Sequence, residues 1–183
     1  MKVKYSDLKN KRVFITGGGS GIGASIVEHF CEQGSEVYFV DINIKETNRL
    51  LKKIKKNKFR MPNFIECNLL DINKLEKIIK KIISTKGPIH ALVNSAANDD
   101  RHTTDQVDEK YWENRMAINL KHYFFAAKAV VKAMKKIKSG SIVNLSSVSW
   151  MLGEGDKVVY ETAKSAVVGL TRSFAQEYGK YNI

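Results

Sequence analysis

The sequence predicts an α/β fold, a doubly wound parallel sheet with helices on both faces, and three observations carry that prediction. Short β-branched runs alternate with longer amphipathic runs along the whole chain. The short runs, such as Val13-Phe14-Ile15 and Val37-Tyr38-Phe39-Val40, are apolar without polar alternation, as strands buried on both faces are. A glycine cluster separates the first strand from the first helix. Strand–helix alternation forces parallel pairing through right-handed crossovers.

The elements follow in order. Strand 12–16 leads through glycines to a helix over 21–33. Strand 36–41 precedes a Lys-rich helix over 45–56, and strand 63–67 precedes a helix over 72–85. Strand 91–94 is followed by a polar loop and one long helix from about 111 to 136. Strand 141–145 leads to a last helix over 158–178. Connections are short, with no linker or repeat, so residues 1–183 read as one domain.

Composition narrows the function classes. Of 183 residues, 43% are hydrophobic and 27% charged, which excludes wholesale disorder. No apolar run approaches the roughly 18 residues a spanning helix needs, and the first ten residues hold no apolar signal segment. We therefore expect no membrane partner. The net charge of +12 permits nucleic-acid binding. Its lysines, however, are spread over 45–60, 74–86 and 132–138 and interleaved with Leu, Ile and Val, the pattern of solvated helix faces. Stacking aromatics are nearly absent there, Phe59 apart, so nucleic acid is not an expected partner. Cys31 and Cys67 stand at no metal or redox spacing and read as reduced, buried residues of a cytoplasmic protein without a metal site.

Ligands of such sheets bind at the carboxyl ends of the strands. The first strand ends in Thr16-Gly17-Gly18-Gly19-Ser20-Gly21-Ile22-Gly23. Such a turn lets backbone approach a pyrophosphate and aims a helix N-terminus at it. Asp41 ends the second strand, where a carboxylate accepts from an adenosine ribose diol. Tyr160 and Lys164 stand four apart and share one helix face. A free phenol titrates near about 10, and a neighbouring ammonium favours the phenolate, so the pair suits proton transfer at an alcohol. An ordinary tight turn and an exposed lysine are the plain alternatives to each motif taken alone.

Taken together the motifs resemble those of the short-chain dehydrogenase/reductase family. Gly17-x3-Gly21-x-Gly23 is similar to its T-G-x-x-x-G-x-G, and Asn94-Ser95-Ala96-Ala97 to its N-N-A-G. Asn119 matches the Asn of the following helix, and Tyr160-x-x-x-Lys164 the catalytic pair. The Ser147–Tyr160 interval selects Ser147 over Ser146. The resemblance implies a catalytic set of Asn119, Ser147, Tyr160 and Lys164. It implies cofactor contacts from Thr16, Gly17, Ser20, Gly21, Ile22, Gly23, Asp41, Asn68, Leu69, Asn94 and Ala96, with Tyr160 and Lys164. Lys164 also holds the nicotinamide ribose, Ser147 orients the substrate oxygen and Asn119 supports a water in the relay. Asn68 departs from the family's Asp at the adenine ring, and Ser95 and Ala97 from its second Asn and its Gly. NAD is the expected cofactor over NADP, because Asp41 repels a 2′-phosphate and no Arg or Lys stands in 16–23.

Two loops bear on substrate. Asn98-Asp99-Asp100-Arg101-His102 follows the fourth strand, and Trp150-Met151-Leu152-Gly153 follows the fifth. We expect Asn98, Asp99, Arg101, Ser147 and Trp150 to meet the substrate, although a solvated loop with a helix cap fits as well. These stretches resemble sugar 1-dehydrogenases of the family, which implies oxidation of a sugar or related polyol, an aldose such as D-xylose, to a lactone. A 3-oxoacyl carrier-protein reductase is the alternative. The family continues beyond Tyr181-Asn182-Ile183 into a further strand and a substrate-covering loop, so residues 1–183 read as one dinucleotide-binding Rossmann domain that is C-terminally truncated, its last strands missing. On that reading the 183-residue fragment is poorly soluble and shows little activity. Relatives pair the helices around 111–136 and 158–178, which implies a homodimer or homotetramer for the full-length protein.

Overall fold

The computed structural model describes residues 3–183. Five strands, β1 (Arg12–Thr16), β2 (Glu36–Asp41), β3 (Asn63–Glu66), β4 (Ala91–Asn94) and β5 (Ser141–Asn144), form one parallel sheet in the order β3-β2-β1-β4-β5. The order reverses between β1 and β4, so a crevice opens above their carboxyl ends. Register aligns Thr16 with Val40 and Asn94, and Asn94 with Asn144, at that end.

Side chains of a strand alternate between faces, and here each face has its own core. Val13, Ile15, Val37, Phe39 and Val93 pack on α1 (Gly21–Glu32) and α2 (Ile44–Lys56) through Val27, Cys31, Leu50 and Ile54. Phe14, Tyr38, Val40 and Leu92 face the other layer, formed by α3 (Ile72–Lys86), α4 (Glu109–Met116), α5 (His122–Ile137) and α7 (Val158–Tyr178). A short helix α6 (Ser149–Leu152) precedes α7. Burying each large apolar side chain contributes about 1.5–3 kcal/mol.

Polar side chains start the peripheral helices. Asn43, Asp71 and Asp108 each accept from a first-turn amide of α2, α3 and α4, a cap worth about 1 kcal/mol. The last turn of α2 carries Lys53, Lys55 and Lys56 against its negative dipole end.

Two details depart from the sequence expectation. The long helix is present and unbroken, but a π-turn over Ala117–Lys121 joins α4 to α5. Such a widened turn rotates the residues after it and is frequent at functional sites. Strand β5 is not buried on both faces, because Val143 is 47% exposed where Val93, its neighbour in register, is covered by the α1 and α2 layer.

Candidate active site

The crevice has a volume of about 620 Å³. Its floor is the turn after β1. Gly17 has φ +68°, and a Cβ there would stand 2.6 Å from the Ala96 Cα. A Cβ at Gly23 would collide with the Gly17 carbonyl oxygen. Only glycine permits this approach of three chain segments. Gly17 and Gly18 donate to the Val40 carbonyl, and Gly19 donates to Asp41 Oδ2 at 2.7 Å. The Ser20 side chain caps nothing, so the first amides of α1 face the crevice. Bare backbone, a closely packed cradle and an uncapped helix N-terminus fit a dinucleotide pyrophosphate.

Most of the expected cofactor residues line this crevice. Gly17, Ser20, Gly21, Ile22 and Gly23 form one wall, Asp41, Asn68 and Leu69 the second, and Ala96, Asn98, Asp99 and Tyr160 the third. Ile22 stands 70% exposed at the mouth. Asp41 also accepts from the Asn43 amide through Oδ1, so its carboxylate is already fixed in place. Asn68 Oδ1 accepts from the Leu70 amide.

Thr16 and Asn94 lie elsewhere: both are fully buried beneath the crevice and do not line it. Thr16 Oγ1 accepts from the Ser95 amide at 3.1 Å and stands 3.3 Å from His122 Nε2. Asn94 Nδ2 donates to Asn144 Oδ1 at 2.8 Å. These side chains hold the strand ends that shape the crevice.

The four expected catalytic residues come from three parts of the chain, and of them only Tyr160 lines the crevice. The π-turn carries Asn119, fully buried, whose amide exchanges two hydrogen bonds with the Asn98 backbone at 2.8 and 2.9 Å. This pins the loop after β4. Ser146 and Ser147 follow β5 and divide their work. Ser146 Oγ donates to the Lys164 carbonyl, while Ser147 Oγ lies 2.8 Å from Ser149 Oγ.

Tyr160 and Lys164 share one face of α7, with Lys164 Nζ 5.6 Å from the Tyr160 ring centroid. Lys164 is only 1% exposed. Its Nζ donates to Tyr123 Oη and to the Leu145 carbonyl, both at 2.8 Å. Burial pushes its pKa down to about 8. The same burial, helped by the Lys164 charge, pushes His122 down to about 3 and keeps that imidazole neutral.

The expected substrate residues separate. Asn98 and Asp99 line the crevice, but Ser147, Arg101 and Trp150 do not. Arg101 is exposed and paired with Asp156. Trp150 lies half-exposed on α6. The sequence reading missed Tyr123 and His122, whose positions in α5 read as part of an apolar stripe. It also missed the crevice-lining Ile42, Asn43, Cys67 and Ile118. Asn43 was legible in principle as the residue that caps α2 beside Asp41.

Comparison with known proteins places this geometry in a class. The family model described as short chain dehydrogenase matches residues 11–183. A D-xylose 1-dehydrogenase of Caulobacter vibrioides is 41% identical over 179 residues, covering 98% of this chain and 70% of that protein. A protein of Rhizobium meliloti named "Probable galactose dehydrogenase GalD" is 38% identical over 180 residues, with 98% and 70% covered. Among solved structures, the ligand-free aldohexose dehydrogenase of Thermoplasma acidophilum superposes with a TM-score of 0.84 at 30% identity, covering 97% of this chain and 65% of that one. The chain belongs to the short-chain dehydrogenase family. It is an NAD(P)-dependent oxidoreductase acting on CH–OH groups.

Proposed function

We propose that the protein oxidises an aldose at C1 to the lactone with NAD as its cofactor. The observation that carries this reading is the shared wall of the crevice, where Tyr160 stands with the polar Asn98 and Asp99. Hydroxyl-rich substrates need such acceptors beside the acid–base group. The sugar substrates named for the relatives point the same way.

Tyr160 takes the proton of the C1 hydroxyl. Lys164, fixed by Tyr123 and Leu145, holds its Nζ 5.6 Å from the Tyr160 ring centroid. Ser147 orients the substrate oxygen. Asn119 holds the Asn98 backbone, and with it the polar wall that grips the sugar. Bound along the glycine turn, Asp41, Asn68 and Leu69, the nicotinamide cofactor supplies the hydride acceptor. Asp41 favours NAD over NADP, since its carboxylate lines the site with no ion-pair partner among the described residues.

The further readings are that the chain is one dinucleotide-binding domain, works in the cytoplasm, where free Cys31 and Cys67 stay reduced, and assembles as a homodimer or homotetramer. Among the described residues no helix is long and apolar enough to cross a membrane.

An aldose panel assayed with NAD⁺ and NADP⁺ tests the reading. Turnover is expected of the full-length protein with NAD⁺ and a sugar, and Tyr160→Phe is expected to lower it by at least about 10²-fold while NADH binding by fluorescence stays within twofold. Near-normal turnover by Tyr160→Phe, or tighter binding of NADPH than NADH, would defeat it.

A further inference from the structure

Helix α7 begins without a cap of its own. Its N-cap residue Lys157 bonds no first-turn amide with its side chain, which pairs instead with Glu154. Val159 in that first turn is fully buried, and a buried amide needs an acceptor. The acceptor comes from 57 residues upstream, where His102 Nε2 receives the Val159 N–H at 3.3 Å.

His102 is itself firmly held and only 6% exposed. Its Nδ1 lies 2.9 Å from the Asp100 carbonyl oxygen and 2.8 Å from Tyr111 Oη, and the Tyr111 ring meets it edge-on with centroids 4.9 Å apart. A carbonyl only accepts and a backbone amide only donates. The partners therefore put the proton on Nδ1 and leave Nε2 bare. Two more links join the same loop to the segment before α7. The His102 amide donates to the Asp156 carbonyl at 2.7 Å, and Arg101 pairs with the Asp156 carboxylate. Tyr160 is the next residue after Val159.

We propose that His102 is a positioning residue: its imidazole, steadied by Tyr111 on α4, is the tertiary cap of α7 and fixes the turn that carries Tyr160. The proposal rests on the acid–base role given to Tyr160 above. It reassigns half of the polar run after β4. Asn98 and Asp99 face the crevice, while Arg101 and His102 clamp the catalytic helix.

Two substitutions separate capping from bulk. His102→Leu keeps much of the volume and removes the acceptor. His102→Gln returns a carbonyl oxygen near the place of Nε2. We expect His102→Leu to lower kcat about 10–100-fold, with the KM for NAD⁺ within about twofold, and to speed hydrogen exchange at the Val159 amide. His102→Gln should regain most of both. Wild-type kcat in His102→Leu, or a His102→Gln variant as impaired as His102→Leu, would overturn the proposal. The wild-type protein decides the cap without any variant: a Val159 amide that exchanges as fast as an open chain's refutes it. Absence of sugar turnover in the full-length wild type would sink the aldose reading instead, and exchange at Val159 would still report on the cap.

Discussion

His122 shows how one buried residue sets a pH limit on the fold. It stands between Thr16 Oγ1 and the Lys164 charge, and its folded pKa of about 3 lies below the ordinary 6.5. Below pH 6.5 the unfolded chain takes up a proton that the folded chain refuses. Stability should therefore fall as pH drops from 6.5 toward 3, by about 1.4 kcal/mol per pH unit from this residue. His122→Gln retains a hydrogen-bonding group and removes the titration. Urea midpoints at pH 7 and pH 5 should differ less in His122→Gln than in the wild type, and equal acid limbs in the two proteins would reject the assignment. The sequence pointed to Tyr160, Lys164, Ser147 and Asn119 through its resemblance to the family, but not to His122 or Tyr123. An apolar-looking helix position gives no sign that its polar tip will meet a strand end or a buried ammonium.

At the scale of elements, the turn between β1 and α1 and the π-turn before α5 do different work. The first brings Gly17, Gly23 and Ala96 into contact, which any side chain at Gly23 would prevent. Gly23→Ala should cost about 1–3 kcal/mol of stability through overpacking and weaken NADH binding about tenfold or more. Ser20→Ala, whose hydroxyl caps nothing, should leave the melting temperature within a degree or two. Calorimetry with NADH titration checks both, and an unperturbed Gly23→Ala would show that the segments have room to part. The second turn, over Ala117–Lys121, buries Asn119 and aims its amide at the Asn98 backbone. Helical periodicity extends through it unbroken in the sequence, because one extra residue in a turn leaves no compositional mark.

For the whole molecule, most apolar residues of α5 and α7 are spent inside the fold. Ala126, Ala127, Val130, Val167 and Phe174 are buried, leaving Phe124, 42% exposed, and Val168 on the outer faces, with Ile137 and Val158 exposed near the helix ends. Apolar groups left on neighbouring helices suit a symmetric contact between copies. The double variant Phe124→Glu and Val168→Glu should lower the particle mass seen by light scattering to that of the monomer while sparing the helical circular dichroism. An unchanged mass would place the contact elsewhere, with the exposed face of β5 at Val143 the next surface to test.

The sequence by itself determined the strand–helix order, the parallel sheet and the glycine turn, and its resemblance to the family singled out Asn119, Ser147, Tyr160 and Lys164. The first three follow from local rules of apolar runs and turn chemistry, as does the four-residue step that sets Tyr160 and Lys164 on one helix face. The tertiary structure alone decided which side chains face the crevice. It buried Thr16 and Asn94 below the floor, and turned Arg101 and His102 from the expected sugar site toward α7. It also set Lys164 against Tyr123. These are contacts between residues far apart in the chain. The direction of a side chain there depends on which element packs over it, and no local periodicity encodes that choice.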